Sequence, residues 1–237
     1  MEIDEIIAAS FKNTAVDSGF KFKMKRSGHS FFRKDYLCEL FMDKKVIHLG
    51  CADHKELIDY KLANNTWVHK VITDVAQKCI GFDINEKAIE YIHSKGFLNV
   101  DCTDILKNKN ESILSESWDY ILLGEVLEHI DNPVNFLENI KNKYQSSIKN
   151  IVITVPNALR LLNFKYSLKN IEFINSDHRF WFTPYTIIKV VSEAGFIPVN
   201  IDMCLYYRPS RLSLIKRPFL KLFPLFCDNI ILIARFT

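Results

Sequence analysis

From residue 45 onward, short apolar runs alternate with stretches in which apolar residues recur every three or four positions. Runs of the first kind suit buried strands, and the second spacing suits the inner stripe of a helix. Their alternation predicts a parallel sheet with crossover helices. Strands are expected at Val46–Leu49, Cys79–Phe82, Asn99–Cys102, Trp118–Leu123 and Asn150–Val155, and two longer ones at Ile197–Tyr207 and Asn229–Phe236. The Trp118 strand is apolar on both faces, which places it at the centre of the sheet. Helices are expected over 53–64, 66–76, 85–96, 133–144 and 183–195. Asn85 serves as the cap of the third and Thr183-Pro184 as N-cap and N1 of the last. The stretch 156–182 reads as loop-rich. Residues 1–44 are weakly patterned and are expected to form a helical cap over one domain spanning 45–237.

Composition narrows this picture only a little. Apolar residues make up 48% and charged residues 25%, as in an ordinary globular protein, and the net charge of +3 creates no general basic field. Nucleic acid is therefore the least favoured partner. The six cysteines form no C-x-x-C pair, the acidic start Met1-Glu2-Ile3-Asp4-Glu5 has no apolar leader, and no apolar run is long enough to span a bilayer. The expectation is a reduced, cytoplasmic protein. Residues 208–226 read as an insertion between the last two strands. It carries Arg208, Arg211, Lys216, Arg217 and Lys221, no acidic residue, and prolines that break any long helix. Such a segment suits a lid packed on the sheet edge. The alternative is peripheral contact with an anionic membrane surface at the inner face.

Four elements carry candidate chemistry. His48-Leu49-Gly50-Cys51-Ala52 joins the first strand to a helix through a turn of small residues, which allows a ligand close to the backbone. Asp83, followed by Ile84, stands at the carboxyl end of the second strand, where a carboxylate is able to accept both hydroxyls of a ribose. Asp104-Ile105 follows the third strand, placed to meet an adenine. Gly124-Glu125-Val126-Leu127-Glu128-His129-Ile130-Asp131-Asn132-Pro133 follows the central strand directly.

On these residues the chain resembles the class I S-adenosylmethionine (SAM) dependent methyltransferases, in particular the branch of the ubiquinone-biosynthesis O-methyltransferases. The resemblance runs from about Lys44 to Phe196, and Val155-Pro156-Asn157 and Asp177-His178-Arg179-Phe180 also carry it. It implies an α/β Rossmann-like fold, with a mostly parallel seven-stranded sheet, an antiparallel last strand and helices on both faces. It also implies a SAM site at His48, Gly50, Cys51, Ala52, Asp83, Ile84, Asp104, Ile105, Gly124 and Glu125, with S-adenosylhomocysteine as product. The chain departs from the family at His48, where an acid is usual, and at Ala52 and His54, where glycines are usual. A nicotinamide enzyme would share the turn and the ribose carboxylate, but G-x-G-x-x-G is missing.

Methyl transfer to a hydroxyl needs positioning and a base, and an imidazole suits the second task. His129 and His178 are the candidates, with Glu125 beside them. Glu125, Glu128, His129 and His178 together also resemble the metal site of the small-RNA 2′-O-methyltransferases. A divalent ion on these four is the less favoured reading. The expected acceptor is a small-molecule, sugar or lipid-linked hydroxyl. The alternatives are an RNA-type metal-dependent enzyme and a SAM-binding module without catalysis.

Overall fold

The computed structural model describes residues 21, 23, 24, 32–53, 55–107, 109–206 and 218–236. His54 and residues 208–217 of the insertion lie outside them, as does most of the 1–31 stretch of the expected cap. Seven strands form one sheet: β1 (Lys45–Leu49), β2 (Lys78–Asp83), β3 (Val100–Cys102), β4 (Trp118–Gly124), β5 (Ile148–Pro156), β6 (Ile197–Cys204) and β7 (Asn229–Arg235). Their order is β3-β2-β1-β4-β5-β7-β6, so β4 is the middle strand. The pairs from β3 through β5 are parallel, and β7 runs antiparallel to both β5 and β6.

Helices surround the sheet: α1 (Arg33–Phe41), α2 (Lys55–Ala63), α3 (Val68–Thr73), α4 (Glu86–Ser94), α5 (Glu111–Leu114), α6 (Pro133–Tyr144), α7 (Leu161–Ser167) and α8 (Pro184–Glu193), with residues 218–222 helical as well. Caps set several of the starts. Asn85 and Asn132 accept from the backbone N–H three residues on, and Thr183 and Thr186 form a reciprocal capping box. The side chains of Ile47, Leu49, Ile121 and Leu123 pack on one face of the sheet with Leu137 and Ile140 of α6 and Ile187, Ile188 and Val191 of α8. Val46, Leu122, Val152 and Ile231 point the other way, against Tyr36, Leu37 and Phe41 of α1 and Ile72 of α3. The alternation along β1 and β4 thus builds a three-layer core from period-two strands.

The helix over 33–41 packs its buried residues on the sheet itself, with 1% or less of Tyr36, Leu37 and Phe41 exposed. Within the stretch read as loop-rich, the structure has α7, whose residues are half-buried or exposed. An element without a buried face leaves little periodic signal. All six cysteines are free. Among the described residues no helix is long and apolar enough to cross a membrane.

Candidate active site

The carboxyl ends of β1, β2, β4 and β5 converge with the loops that follow them. After β1 the chain turns at Gly50, whose φ is +72°; a Cβ there would meet Val126 Cγ2 at 2.5 Å. Glycine is required at this position both for the left-handed backbone and for the space. The Gly50 and Cys51 N–H groups donate to the Phe82 carbonyl at 2.8 and 3.3 Å, which ties the turn to the end of β2. There the Asp83 carboxylate accepts from Ala52 N–H through Oδ2 and from Asn85 N–H through Oδ1, both at 3.0 Å. These bonds hold the carboxylate beside the turn and leave each oxygen a further lone pair. Ile84 is 76% exposed at the same edge. Asp104 Oδ1 accepts from Leu106 N–H at 2.9 Å, whereas Ile105 is buried in the core with 1% exposure.

His48 and Cys51 sit differently from the rest of the expected set. Both are 2% exposed. The His48 ring stacks on that of His69 with centroids 5.5 Å apart, and the two Nδ1 atoms are 3.4 Å from each other. Burial, reinforced by this pairing, pushes the pKa of His48 well below its ordinary value. Burial lowers that of His69 to about 4. Burial also raises the Cys51 thiol, so it stays protonated.

Two clusters form after β4. Glu125 has a φ of +60°, a conformation that costs a non-glycine residue about 1–2 kcal/mol. This conformation accompanies a network around its carboxylate. Arg33 Nη1 from the start of α1 lies 3.1 Å from Glu125 Oε1, Asn229 Nδ2 donates to the same oxygen at 2.7 Å, and Tyr206 Oη donates to it as well. The Arg33 guanidinium also lies 4.8 Å from the centroid of the Tyr206 ring. Burial alone would lower the pKa of Arg33, but the charges around it, Glu125 first and then Tyr206, Cys204 and Glu128, together outweigh it and the value rises.

The second cluster lies in the short 3-10 turn Leu127–His129 and the strip that docks on it. Arg179 and Phe180 N–H both donate to the Glu128 carbonyl, and Arg179 Nη1 donates to the His129 carbonyl at 2.7 Å. His178 is thereby brought against His129, with ring centroids 4.7 Å apart and the rings edge to face. His129 Nδ1 lies 3.1 Å from the Asp177 carbonyl. A carbonyl only accepts, so Nδ1 carries the proton and Nε2 keeps the free lone pair. The Glu128 side chain is fully buried, and neither carboxylate oxygen has a hydrogen-bond partner among the described residues. Burial, and then the charge of Glu125, raises its pKa to about 8. Glu128, His129 and His178 each offer a ligand atom within 4.8 Å of the others. Burial and the neighbouring His129 lower the pKa of His178.

Residues 24–200 match the family model described as a methyltransferase domain. The chain belongs to the methyltransferase domain family. Its sheet, with β7 reversed between β5 and β6, is the class I SAM-dependent fold, and SAM is the methyl donor of this class. No curated protein sequence gives a match. Among solved structures, the methyltransferase is similar to a possible histamine N-methyltransferase from Thermotoga maritima, at 13% identity and a TM-score of 0.55, with 87% of this chain and 90% of that one covered. It is also similar to magnesium protoporphyrin IX methyltransferase from Synechocystis PCC 6803, solved with bound S-adenosylhomocysteine, at 14% identity and a TM-score of 0.51, covering 83% and 76%. A third similar structure is the small RNA methyltransferase HEN1, at 17% identity and a TM-score of 0.55, where 90% of this chain covers 27% of that one.

Of the residues expected to work together in this methyltransferase, Glu128, His129 and His178 meet. Glu125 turns instead into the Arg33–Tyr206–Asn229 network. Sequence reasoning missed those three partners. They come from α1, the end of β6 and the start of β7, and nothing local to any of them marks it as a neighbour of β4. It also missed Trp181, whose ring meets His178 edge to face at 6.4 Å between centroids and lies under the Arg160 guanidinium at 5.0 Å.

Proposed function

We infer that the protein transfers the methyl group of SAM to a hydroxyl oxygen, with His129 as the general base. The observation that carries this reading is the bond between His129 Nδ1 and the Asp177 carbonyl, which leaves Nε2 as the acceptor of a proton. The nucleoside end falls to the residues at the ends of β1 to β3. The Gly50–Ala52 turn brings backbone to the donor, Asp83 accepts from the ribose hydroxyls, and Ile84 and Asp104 with the Ile105 backbone flank the base. Gly124 leaves room at the end of β4. Asp83 suits its part because two backbone N–H groups already fix its carboxylate. When bound, SAM supplies an activated methyl group on a sulfonium. His129 Nε2 takes the acceptor's proton, and His178, kept neutral by burial, packs at its side and adds no competing charge. The acceptor would be a small-molecule, sugar or lipid-linked hydroxyl.

A second reading is favoured by one observation: the two buried Glu128 oxygens, without hydrogen-bond partners among the described residues, lie beside two imidazoles. Glu128, His129 and His178 fit a divalent cation, which would hold the acceptor oxygen and favour its alkoxide. Glu125, engaged with Arg33, is not part of that set. One experiment separates the two. On the base reading, His129→Ala lowers kcat about a hundredfold, S-adenosylhomocysteine affinity stays the same, and a chelator changes nothing. Turnover lost on chelation and restored by Mg²⁺ or Mn²⁺ would establish the metal reading instead.

A further inference from the structure

Beyond β5, Asn157 pins the chain to the last segment before β7, its Nδ2 donating to the Leu225 and Cys227 carbonyls at 2.7 and 2.8 Å. Between α7, the residues Lys21, Lys23 and Met24, and residues 222–226 lies a cavity of about 750 Å³. That volume falls within the range of about 300–1,000 Å³ typical of small-molecule sites.

Its wall is apolar and aromatic. The Phe226 ring packs against Phe219 at 5.9 Å, Phe223 at 6.5 Å and Phe164 at 6.3 Å, a pre-assembled surface. Phe164, Leu222 and Phe223 each leave half or more of their surface in water. The uncharged polar residues of the wall are occupied among themselves. Asn163 donates to the Ala158 carbonyl and accepts from Arg160, and Ser167 donates to the Asn163 carbonyl. Among the described residues, Lys21 and Lys23, both exposed, are the charged residues of the wall. A neighbouring cavity of about 280 Å³ shares Ala158, Asn163 and Ser167 and is walled by Trp181. The Trp181 ring touches His178, so the apolar cavity and the histidine pair sit on one continuous strip.

We propose that this cavity holds the methyl acceptor and that the acceptor is an anionic amphiphile, with an apolar chain or ring against the Phe164–Phe226 wall and a phosphate- or carboxylate-like group at Lys21 and Lys23. The proposal rests on the methyl-transfer reading and narrows its acceptor class. An apolar wall alone would take any grease; the two exposed lysines on it favour an anionic head group over a neutral or cationic one, while the acidic Glu172 lies in the neighbouring cavity.

Calorimetric titration of the full chain tests it, with decyl phosphate below its micellar concentration, 1-decanol and inorganic phosphate as probes. Decyl phosphate should saturate at one per chain and bind at least tenfold more tightly than either fragment. Lys21→Ser/Lys23→Ser should bring it down to the level of 1-decanol. Phe164→Ser/Leu225→Gln, at partly exposed positions, should weaken both decyl probes about tenfold. S-adenosylhomocysteine is titrated in every sample. If it binds while decyl phosphate does not saturate, the acceptor proposal fails and the methyl-transfer reading stands. If S-adenosylhomocysteine fails to bind the wild-type chain, the failure belongs to the methyl-transfer reading. Undiminished decyl phosphate binding in the lysine variant, or uptake only into micelles or anionic vesicles, would also overturn the proposal.

Discussion

Replacing Arg33 with Met removes one partner of the Glu125 network and keeps most of the side-chain volume. The ion pair is 3.1 Å long, and the side chains are 15% and 26% exposed, so water replaces the lost cation poorly. Breaking a buried pair on one side costs about 3–5 kcal/mol, because a charge is left behind without compensation. Here Asn229 and Tyr206 still donate to Glu125, which sets the expected loss near the lower end, about 3 kcal/mol. For a domain of this size that corresponds to a fall in Tm of about 6–12 °C. Glu125→Gln removes the charge from the other side, so Arg33→Met/Glu125→Gln should be more stable than the sum of the two single losses by about 2 kcal/mol. Thermal and urea melts of the four proteins close the cycle. If Arg33→Met melts within 2 °C of the wild type, or if the two losses simply add, the network does not tie α1 to the strand ends and the argument fails.

Asp83→Ala should weaken S-adenosylhomocysteine about tenfold to a hundredfold by calorimetry, the scale of hydrogen bonds to a charged group, with the melt of the ligand-free protein little changed. Gly50→Ala should cost about 2–3 kcal/mol in a chemical melt, since it combines a left-handed alanine with a Cβ 2.5 Å from Val126 Cγ2; a neutral result would contradict the tight turn. His69 is fully buried and its pKa falls from 6.5 to about 4, so the unfolded chain takes up a proton first as pH drops. Stability should therefore hold above pH 6.5 and fall between 6.5 and 4, by about 3 kcal/mol from this residue alone. A melt-versus-pH profile with the same acid slope in wild type and His69→Gln would show that the pair is not the cause.

Most of the strands were legible in the chain because their runs bury at least one face, and burial writes its period into the sequence. Asn85 and Thr183 marked helix starts for an equally local reason: a cap bonds to a backbone N–H three residues away. Asp83 ends β2, Asp104 follows β3 closely and the stretch from Glu125 to His129 follows β4 directly, and a parallel sheet brings all such ends to one edge. Distance and partner were another matter. Glu125 and His129 are four residues apart, yet the left-handed backbone at Glu125 sends its carboxylate to Arg33, while the 3-10 turn carries Glu128 and His129 to a strip nearly fifty residues later. His48 stands where a cofactor contact was expected, and the pleat of β1 turned its ring under the sheet onto His69, because successive side chains of a strand face opposite ways. The Glu125 network depends on the reversed β7, which brings Asn229, and on where α1 packs, which brings Arg33. Long-range contacts leave no period in the sequence, so only the folded chain decided them.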